Sequence, residues 1–247
     1  MATSTLWRIG CSGFHFREWK ELFYPPDTPQ RKWFEYYCKR FNSLEVNFTF
    51  YRFPQLAFLE NWYAQSPADF KFAVKAPRLI THYRQFTDVR PLLEDFYGVL
   101  QEGLKEKLGP VLFQFPPKLA YSDSKLDEVC QQLDPAFLNV VEFRDETWWR
   151  AEVYDKLALH NIMFCGMSHP KLPDEAIVNL PAAYYRFHGT PILYKSEYTE
   201  AFIDQVVHSI RDTGTVQEGW LLFNNTARGA AIRNALYAQQ QLIGQTD

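Results

Sequence analysis

Residues 89–115 read VRPLLEDFYGVLQEGLKEKLGPVLFQF, and they join an amphipathic helix to a short apolar run. Apolar residues recur at the three- and four-residue spacing of one helix face from Val89 to Leu108. Gly109 and Pro110 then predict the end of this helix, because glycine suits the C-cap and proline cannot continue the helix. The run Val111–Phe115 follows with the composition of a buried strand.

The same alternation of strand and helix patterns extends along the whole chain. Further helical patterns cover Glu200–Arg211 and Arg228–Leu242. The eight strand-like runs are Trp7–Cys11, Ser43–Phe48, Phe70–Lys75, Val111–Phe115, Leu138–Phe143, Ile162–Cys165, Tyr184–His188 and Trp220–Phe223. Eight parallel strands with crossover helices predict a single (β/α)8 TIM barrel over residues 1–247. A doubly wound open sheet is the competing fold, and it is disfavoured because no GxGxxG pattern follows the first strand.

Composition and charge exclude several classes of protein. With 47% apolar and 22% charged residues the chain can bury a large core, which excludes general disorder. Lys and Arg number 26 against 29 Asp and Glu, so nucleic acid would have to bind through a local basic patch and is not the favoured partner. We expect no secretory signal, because residues 1–7 contain neither a basic region nor an apolar one, and no apolar run approaches the roughly 18 residues that a membrane span needs. Four cysteines without paired spacing predict reduced thiols, and the expected location is cytoplasmic.

Polar residues gather at one end of the predicted strands. Alternate strand residues face the interior of a barrel, and barrel active sites form at the carboxyl ends of the strands. Six of the eight runs change from apolar to polar at that end. So many polar side chains in one axial pocket require a ligand or mutual pairing. The inward polar positions are Glu45, Asn47, Thr49, Lys75, Gln114, Glu142, Arg144, Arg186, His188 and Asn224.

Seven separated motifs resemble those of the YecE-like family, which is catalogued as domain of unknown function 72. They occur in the family's order over about the whole chain: RIGCSGF (8–14), YYCKRFNSLEVNFTFYRFP (36–54), FKFAVKAPRLITH (70–82), LGPVLFQFPPKL (108–119), VVEFRDETWW (140–149), YYRFHG (184–189) and FNNTARGAAIRNA (223–235). The resemblance implies a TIM-barrel fold. It implies no particular reaction, because no activity is known for the family.

Three of the inward residues are candidate catalytic groups. Two carboxylates that face one pocket, Glu45 and Glu142, can act as general acid and base or as nucleophile and acid. The alternative is that each carboxylate forms an ion pair with a neighbouring cation. His188 is a candidate proton shuttle because histidine titrates near neutral pH, and Gly189 lets the backbone approach a ligand.

The remaining candidates are predicted to bind substrate. Cationic and amide groups would hold an anion, and the loop after the eighth strand could bind phosphate at the start of the last helix. His82 lies in the loop after the third strand, where it could donate to an anion. The predicted binding residues are Asn47, Lys75, His82, Gln114, Arg144, Arg186, Asn224, Asn225 and Arg228.

These residues predict an enzyme with acid–base chemistry of the hydrolase or lyase type. Its ligand would be an anionic small molecule, phosphorylated or carboxylated, or a nucleotide, and no organic cofactor is expected. One alternative is a metabolite-binding or scaffold protein without catalysis. A second is a metal-dependent phosphodiesterase or nuclease, but HxH, HExxH and DxD spacings are missing and nearby Arg and Lys oppose a cation. We therefore expect no metal.

Overall fold

The computed structural model of the protein describes residues 5–243, through which eight parallel strands run. The strands are β1 (Leu6–Cys11), β2 (Ser43–Val46), β3 (Lys71–Lys75), β4 (Leu108–Gln114), β5 (Asn139–Glu142), β6 (Ile162–Ser168), β7 (Ala182–Phe187) and β8 (Glu218–Phe223). Neighbours pair in the order β1-β8-β7-β6-β5-β4-β3-β2, so the sheet wraps into a nearly closed barrel. This confirms the predicted (β/α)8 architecture. The predicted domain over 1–247 also includes residues 1–4 and 244–247, which lie outside the described residues.

Seven α-helices accompany these strands in the described part of the chain. They are α1 (Trp33–Cys38), α2 (Leu56–Gln65), α3 (Arg90–Leu104), α4 (Asp123–Gln132), α5 (Ala151–Leu159), α6 (Glu200–Arg211) and α7 (Ala230–Leu242). The predicted helix over Glu200–Arg211 is confirmed. Helix α7 begins later than predicted because Arg228 and Gly229 have φ values of 54° and 72°. Between residues 5 and 243, no helix combines the length and apolarity that crossing a membrane requires.

The predicted end of α3 is wrong, because the helix stops at Leu104 and Gly109 lies inside β4. Lys105, with a φ of 49°, begins a short 3-10 turn that leads into the strand. A Cβ atom on Gly109 would stand 2.6 Å from the indole ring of Trp220. The glycine therefore makes room for a tryptophan from β8, and this tertiary contact outweighs its local tendency to cap a helix.

The connection from β6 to β7 also departs from the prediction, because residues 169–181 contain no helix. Glu175 forms an isolated antiparallel bridge with Met167, and Asn179 hydrogen-bonds the backbone of Ile162 and Phe164. A Cβ atom on Gly166 would lie 2.8 Å from the carbonyl oxygen of Glu175. An extended segment therefore covers β6 where a helix was expected.

Both faces of the sheet are buried, as expected for parallel strands. The outward faces of the strands pack against the helices in one large apolar cluster. A second, smaller cluster fills the barrel interior and includes Leu112, Val140, Met163 and Trp220. This apolar filling supports the polar side chains that lie nearer the carboxyl ends of the strands.

Side chains bridge the seam where β1 meets β2. Asn42 accepts a hydrogen bond from the backbone N–H of Ile9 and donates one to the carbonyl oxygen of Trp7, each at 2.8 Å. A Cβ atom on Gly10 would stand 2.1 Å from the carbonyl oxygen of Ser43. Only glycine therefore lets these two backbones approach so closely.

We expect Tyr37→Phe to lower the free energy of unfolding by about 2 kcal/mol, since it leaves buried backbone groups unpaired. The Tyr37 hydroxyl accepts from the N–H of Cys11 at 2.7 Å and donates to the carbonyl oxygen of Ser43 at 3.0 Å. Urea unfolding measures the change. The matched control is Tyr36→Phe, because the Tyr36 hydroxyl has no hydrogen-bond partner within residues 5–243. Equal losses in the two variants would show that the seam does not depend on the Tyr37 hydroxyl.

Candidate functional site

One buried arginine joins two carboxylates inside the barrel. Arg186 on β7 donates from Nη2 to Oε1 of Glu45 at 2.6 Å and from Nη1 to Oε2 of Glu142 at 2.5 Å. The two glutamates come from β2 and β5, and all three side chains are almost completely buried. The structure thus brings together three residues that the sequence places on separate strands.

Glu45 has two further hydrogen-bond donors. The Tyr184 hydroxyl donates to its Oε2 at 2.7 Å, and the amide of Asn47 donates to its Oε1 at 3.0 Å. Burial alone raises the pKa of a carboxyl group, but the charge and hydrogen bond of Arg186 outweigh it and lower the pKa of Glu45. Glu45 is therefore ionised at neutral pH.

Glu142 lies between two guanidinium groups. Its Oε1 accepts from Nε of Arg144, and its Oε2 lies 3.8 Å from the Cys165 thiol. Burial opposes ionisation here too, but Arg144 and Arg186 hold the pKa of Glu142 well below its usual range. The ion pairs that were one interpretation of the sequence are present, whereas proton exchange by the two carboxylates stays a prediction.

His188 connects this cluster to β8. Nη2 of Arg144 lies 3.1 Å from its Nε2, and the side-chain amide of Asn224 lies 3.0 Å from its Nδ1. Burial and the charges of Arg144 and Arg186 hold the pKa of His188 well below its usual range, so the ring is neutral. The atom of Asn224 that faces Nδ1 is its amide nitrogen, and Oε2 of Glu142 lies 3.6 Å from Nε2, so His188 contacts both Arg144 and Glu142 through the same ring nitrogen.

Lys75, at the end of β3, has neutral neighbours at contact distance. Its Nζ donates to Oε1 of Gln114 at 2.8 Å and lies 4.1 Å from the centroid of the Phe50 ring. Burial, assisted by the charge of Arg186, lowers the pKa of Lys75 to about 7. His82 approaches the same Gln114 amide at 3.5 Å, and burial together with the charge of Lys75 lowers the pKa of His82 to about 4.

Two predicted binding residues lie apart from this cluster. Asn224 faces the interior, so alternation along the chain turns Asn225 outward. There the Asn225 amide is buried and donates to the carbonyl oxygen of Ser196 and to Oδ1 of Asn234, both at 2.9 Å. The Arg228 side chain is exposed. The structure therefore does not bring Asn225 and Arg228 to the polar cluster, although it brings the other candidates there.

Three contributors were missed by the sequence reasoning. Tyr184 precedes Arg186 by two positions, and the period-two alternation of a strand would have predicted its inward orientation. Cys165 was interpreted only as a small core residue, yet its thiol faces Glu142. Phe50 lies in a short 3-10 turn after β2, where strand alternation no longer applies.

The cluster does not have the composition of a metal centre. Within residues 5–243, no three His, Cys, Asp or Glu side chains are placed to hold a metal ion together. The cluster instead combines two carboxylates with the cationic residues Lys75, Arg144 and Arg186.

Comparison with known proteins identifies the relatives of this chain. The family model described as "Protein of unknown function DUF72" matches residues 8–247. The UPF0759 protein YunF of Bacillus subtilis (strain 168) is 29% identical over 146 residues, which cover 55% of this chain and 51% of that protein. The match thus spans about half the length of this curated relative.

Solved structures share the architecture. A DUF72 family protein from Thermotoga maritima superposes with a TM-score of 0.87 at 28% identity, covering 96% of this chain and 99% of that one. A DUF72 family protein from Enterococcus faecalis V583 gives a TM-score of 0.83 at 17% identity, covering 98% and 97%. The second likeness shows the fold alone.

Proposed function

This chain belongs to the DUF72 protein family, and from that premise we propose that it is an enzyme with acid–base chemistry on a small organic anion. The anion would be phosphorylated or carboxylated, and it would bind at the carboxyl-terminal mouth of the barrel. This is the end at which enzymes with this fold build their active sites.

The observation that carries the proposal is the charge of the polar cluster. Its three cationic residues are Lys75, Arg144 and Arg186, and its two ionised carboxylates are Glu45 and Glu142. When Lys75 is protonated, the cluster has an excess of one positive charge inside a largely buried site. An anion from solution would balance it.

Partly exposed side chains would make the contacts to this ligand. Arg144 uses Nε and Nη2 within the cluster, and its Nη1 has no hydrogen-bond partner among residues 5–243. Asn47, His82 and Asn224 are likewise half-buried. The fully buried Arg186 would act through the field and geometry of the cluster, because Glu45 and Glu142 occupy two of its nitrogen atoms.

Proton transfer would depend on the groups that titrate or exchange protons near neutral pH. Lys75 is suited to this task because its pKa is about 7, which is close to the optimum for a general acid or base at that pH. His188 would assist as a neutral hydrogen-bonding group. Glu45 and Glu142, both ionised, would hold the guanidinium groups in place and stabilise positive charge.

Calorimetric titration with sulfate tests the anion site, because the charge of sulfate is constant near neutral pH. We expect Arg144→Gln to weaken binding roughly tenfold, since the lost hydrogen bond involves two charged groups. Arg228→Gln is the matched control and is expected to leave the affinity unchanged, because Arg228 is exposed and lies apart from the cluster. Sulfate should also bind more tightly at about pH 6 than at about pH 8.5, since Lys75 loses its charge between them.

Other titratable groups at the mouth do not change charge in this pH range. Glu45 and Glu142 stay ionised, and the lowered pKa values of His82 and His169, both about 4, keep these rings neutral. Absence of sulfate binding at millimolar concentration, or an equal effect of the two arginine variants, would contradict the proposed site. Turnover of a bound organic anion, followed by mass spectrometry of the products, distinguishes an enzyme from a metabolite-binding protein.

A further inference from the structure

We propose that Lys75 is a nucleophilic amine that forms an imine with the carbonyl carbon of an organic anion, such as a 2-oxo acid. This inference rests on the proposed anion site and specifies its substrate class. The substrate would carry an aldehyde or ketone group beside the negative charge that the arginines attract.

The first support is the set of contacts around the amine. Within residues 5–243, Nζ of Lys75 makes one hydrogen bond, to the neutral Gln114 side chain, and it lies against the face of the Phe50 ring. Among the described residues, no carboxylate lies within 4.0 Å of this nitrogen. An amine with a single acceptor keeps its remaining positions available to a ligand.

Another buried lysine shows the contrasting arrangement. Nζ of Lys107 donates to the carbonyl oxygens of Tyr63 and Ser66 and to the Ser66 hydroxyl, at 2.7, 2.8 and 3.0 Å. Three acceptors use all three N–H groups of an ammonium ion, so Lys107 is fixed as a structural cation. Lys75 is thus distinguished from Lys107 by its contacts and by its position at the mouth.

The second support is the electrostatic surroundings, which favour the free amine. Burial and the nearby guanidinium groups of Arg186 and Arg144 disfavour the ammonium form, and Glu142 and Glu45 only partly oppose them. The resulting pKa of about 7 means that a substantial fraction of the Lys75 side chains are free amines at neutral pH. Desolvation and neighbouring cations are the general means by which proteins activate a lysine nucleophile.

The reaction is balanced without any further reagent. The free amine attacks the carbonyl carbon, a C–N bond forms as the C=O π bond breaks, and one proton passes from the nitrogen to the oxygen to give a neutral carbinolamine. A proton from solvent then protonates the hydroxyl, which leaves as water as the C=N bond forms, so amine, carbonyl and one proton yield iminium and water.

Reductive trapping tests the proposal. The purified protein is incubated with glyoxylate and cyanoborohydride, digested, and mapped by mass spectrometry. We expect a carboxymethyl adduct concentrated on Lys75, and a labelling rate that rises with pH with a midpoint near the Lys75 pKa of about 7. Sulfate should slow the labelling by competing for the same charges.

Two variants control the test. Lys75→Met removes the adduct, and circular dichroism establishes that this variant is folded. Lys71→Met, on the same strand but at its opposite end, should leave labelling of Lys75 unchanged. Because the peptide map of the unmodified protein already locates the adduct, the result does not depend on whether a variant folds.

The outcomes separate this inference from the anion site. Sulfate binding with no preferential adduct on Lys75 would overturn the imine and leave the anion site standing. If the protein does not bind sulfate, and sulfate does not slow formation of the Lys75 adduct, the anion site is contradicted but the reactive amine is supported. Labelling of Lys75 at the rate of exposed lysines would overturn the imine proposal.

Discussion

Replacing Arg186 by methionine is expected to lower the free energy of unfolding by about 3–5 kcal/mol, because removing one partner of a buried ion pair leaves an uncompensated charge. Arg186 is 1% exposed and is the shared partner of Glu45 and Glu142. Although burial opposes its charge, the two carboxylates raise the pKa of Arg186 well above its usual value. Methionine has a similar length and fills the space without the charge. Urea unfolding at neutral pH measures the loss.

Arg233→Met is the matched control for this substitution. Nη2 of Arg233 lies 2.7 Å from Oε2 of Glu197, but both side chains are more than two-fifths exposed. A solvent-exposed pair of this kind contributes at most about 1 kcal/mol. Adding Glu45→Gln to Arg186→Met should recover part of the lost unfolding free energy, since it removes one of the carboxylate charges that Arg186→Met leaves unpaired. Similar losses in the two arginine variants would mean that the interior cluster contributes no more than a surface pair.

The convergence of the cluster was predictable because a closed barrel has a single interior. Strand alternation places Glu45, Glu142 and Arg186 on the inward faces of β2, β5 and β7, near the carboxyl ends of those strands. Side chains with these positions must meet, whatever the details of the loops. The sequence therefore predicts which residues come together before any distance is known.

The pairing and the protonation states were not predictable in the same way. Both carboxylates share Arg186, and Arg144 lies between Glu142 and His188. Both arrangements depend on differences of a few tenths of an ångström in the distances between side chains. The lowered pKa of Lys75 depends on how far it is buried and on charges from other strands. Residue type and the face of a strand can be predicted from the sequence, but these distances and pKa shifts arise only from packing.

Glycine was misread where a tertiary contact competes with a local rule. Gly109 before Pro110 is a typical helix stop, yet the glycine belongs to β4 and faces Trp220. Gly166 in β6 likewise admits the segment that replaces a helix between β6 and β7. Trp220 is distant from Gly109 in sequence, and the Glu175 segment meets Gly166 through a backbone contact, so neither the early end of α3 nor the missing helix follows from local hydrophobic periodicity.

We expect Glu142→Gln to lower the free energy of unfolding by about 3 kcal/mol at neutral pH. The reason is that hydrogen bonds between charged groups are replaced by weaker hydrogen bonds to a neutral amide. Arg186 keeps Glu45 and Arg144 is partly exposed, so the loss should be smaller than that of Arg186→Met. Glu197→Gln, in the exposed pair with Arg233, is the control and should cost at most about 1 kcal/mol.

The pH dependence of the stability lost in Glu142→Gln shows whether the loss comes from the charge of Glu142. The pKa of Glu142 is well below its usual range in the folded protein, whereas an unfolded glutamate has a pKa of about 4.3. The unfolded state therefore binds the proton first, so the stabilisation is complete above about pH 4.3 and is lost as the pH falls through the folded pKa. The difference in unfolding free energy between the unmodified protein and Glu142→Gln should be equal at about pH 7 and about pH 5 and smaller at about pH 4. A difference that does not change over this range would show that Glu142 stabilises the barrel through packing and not through its charge.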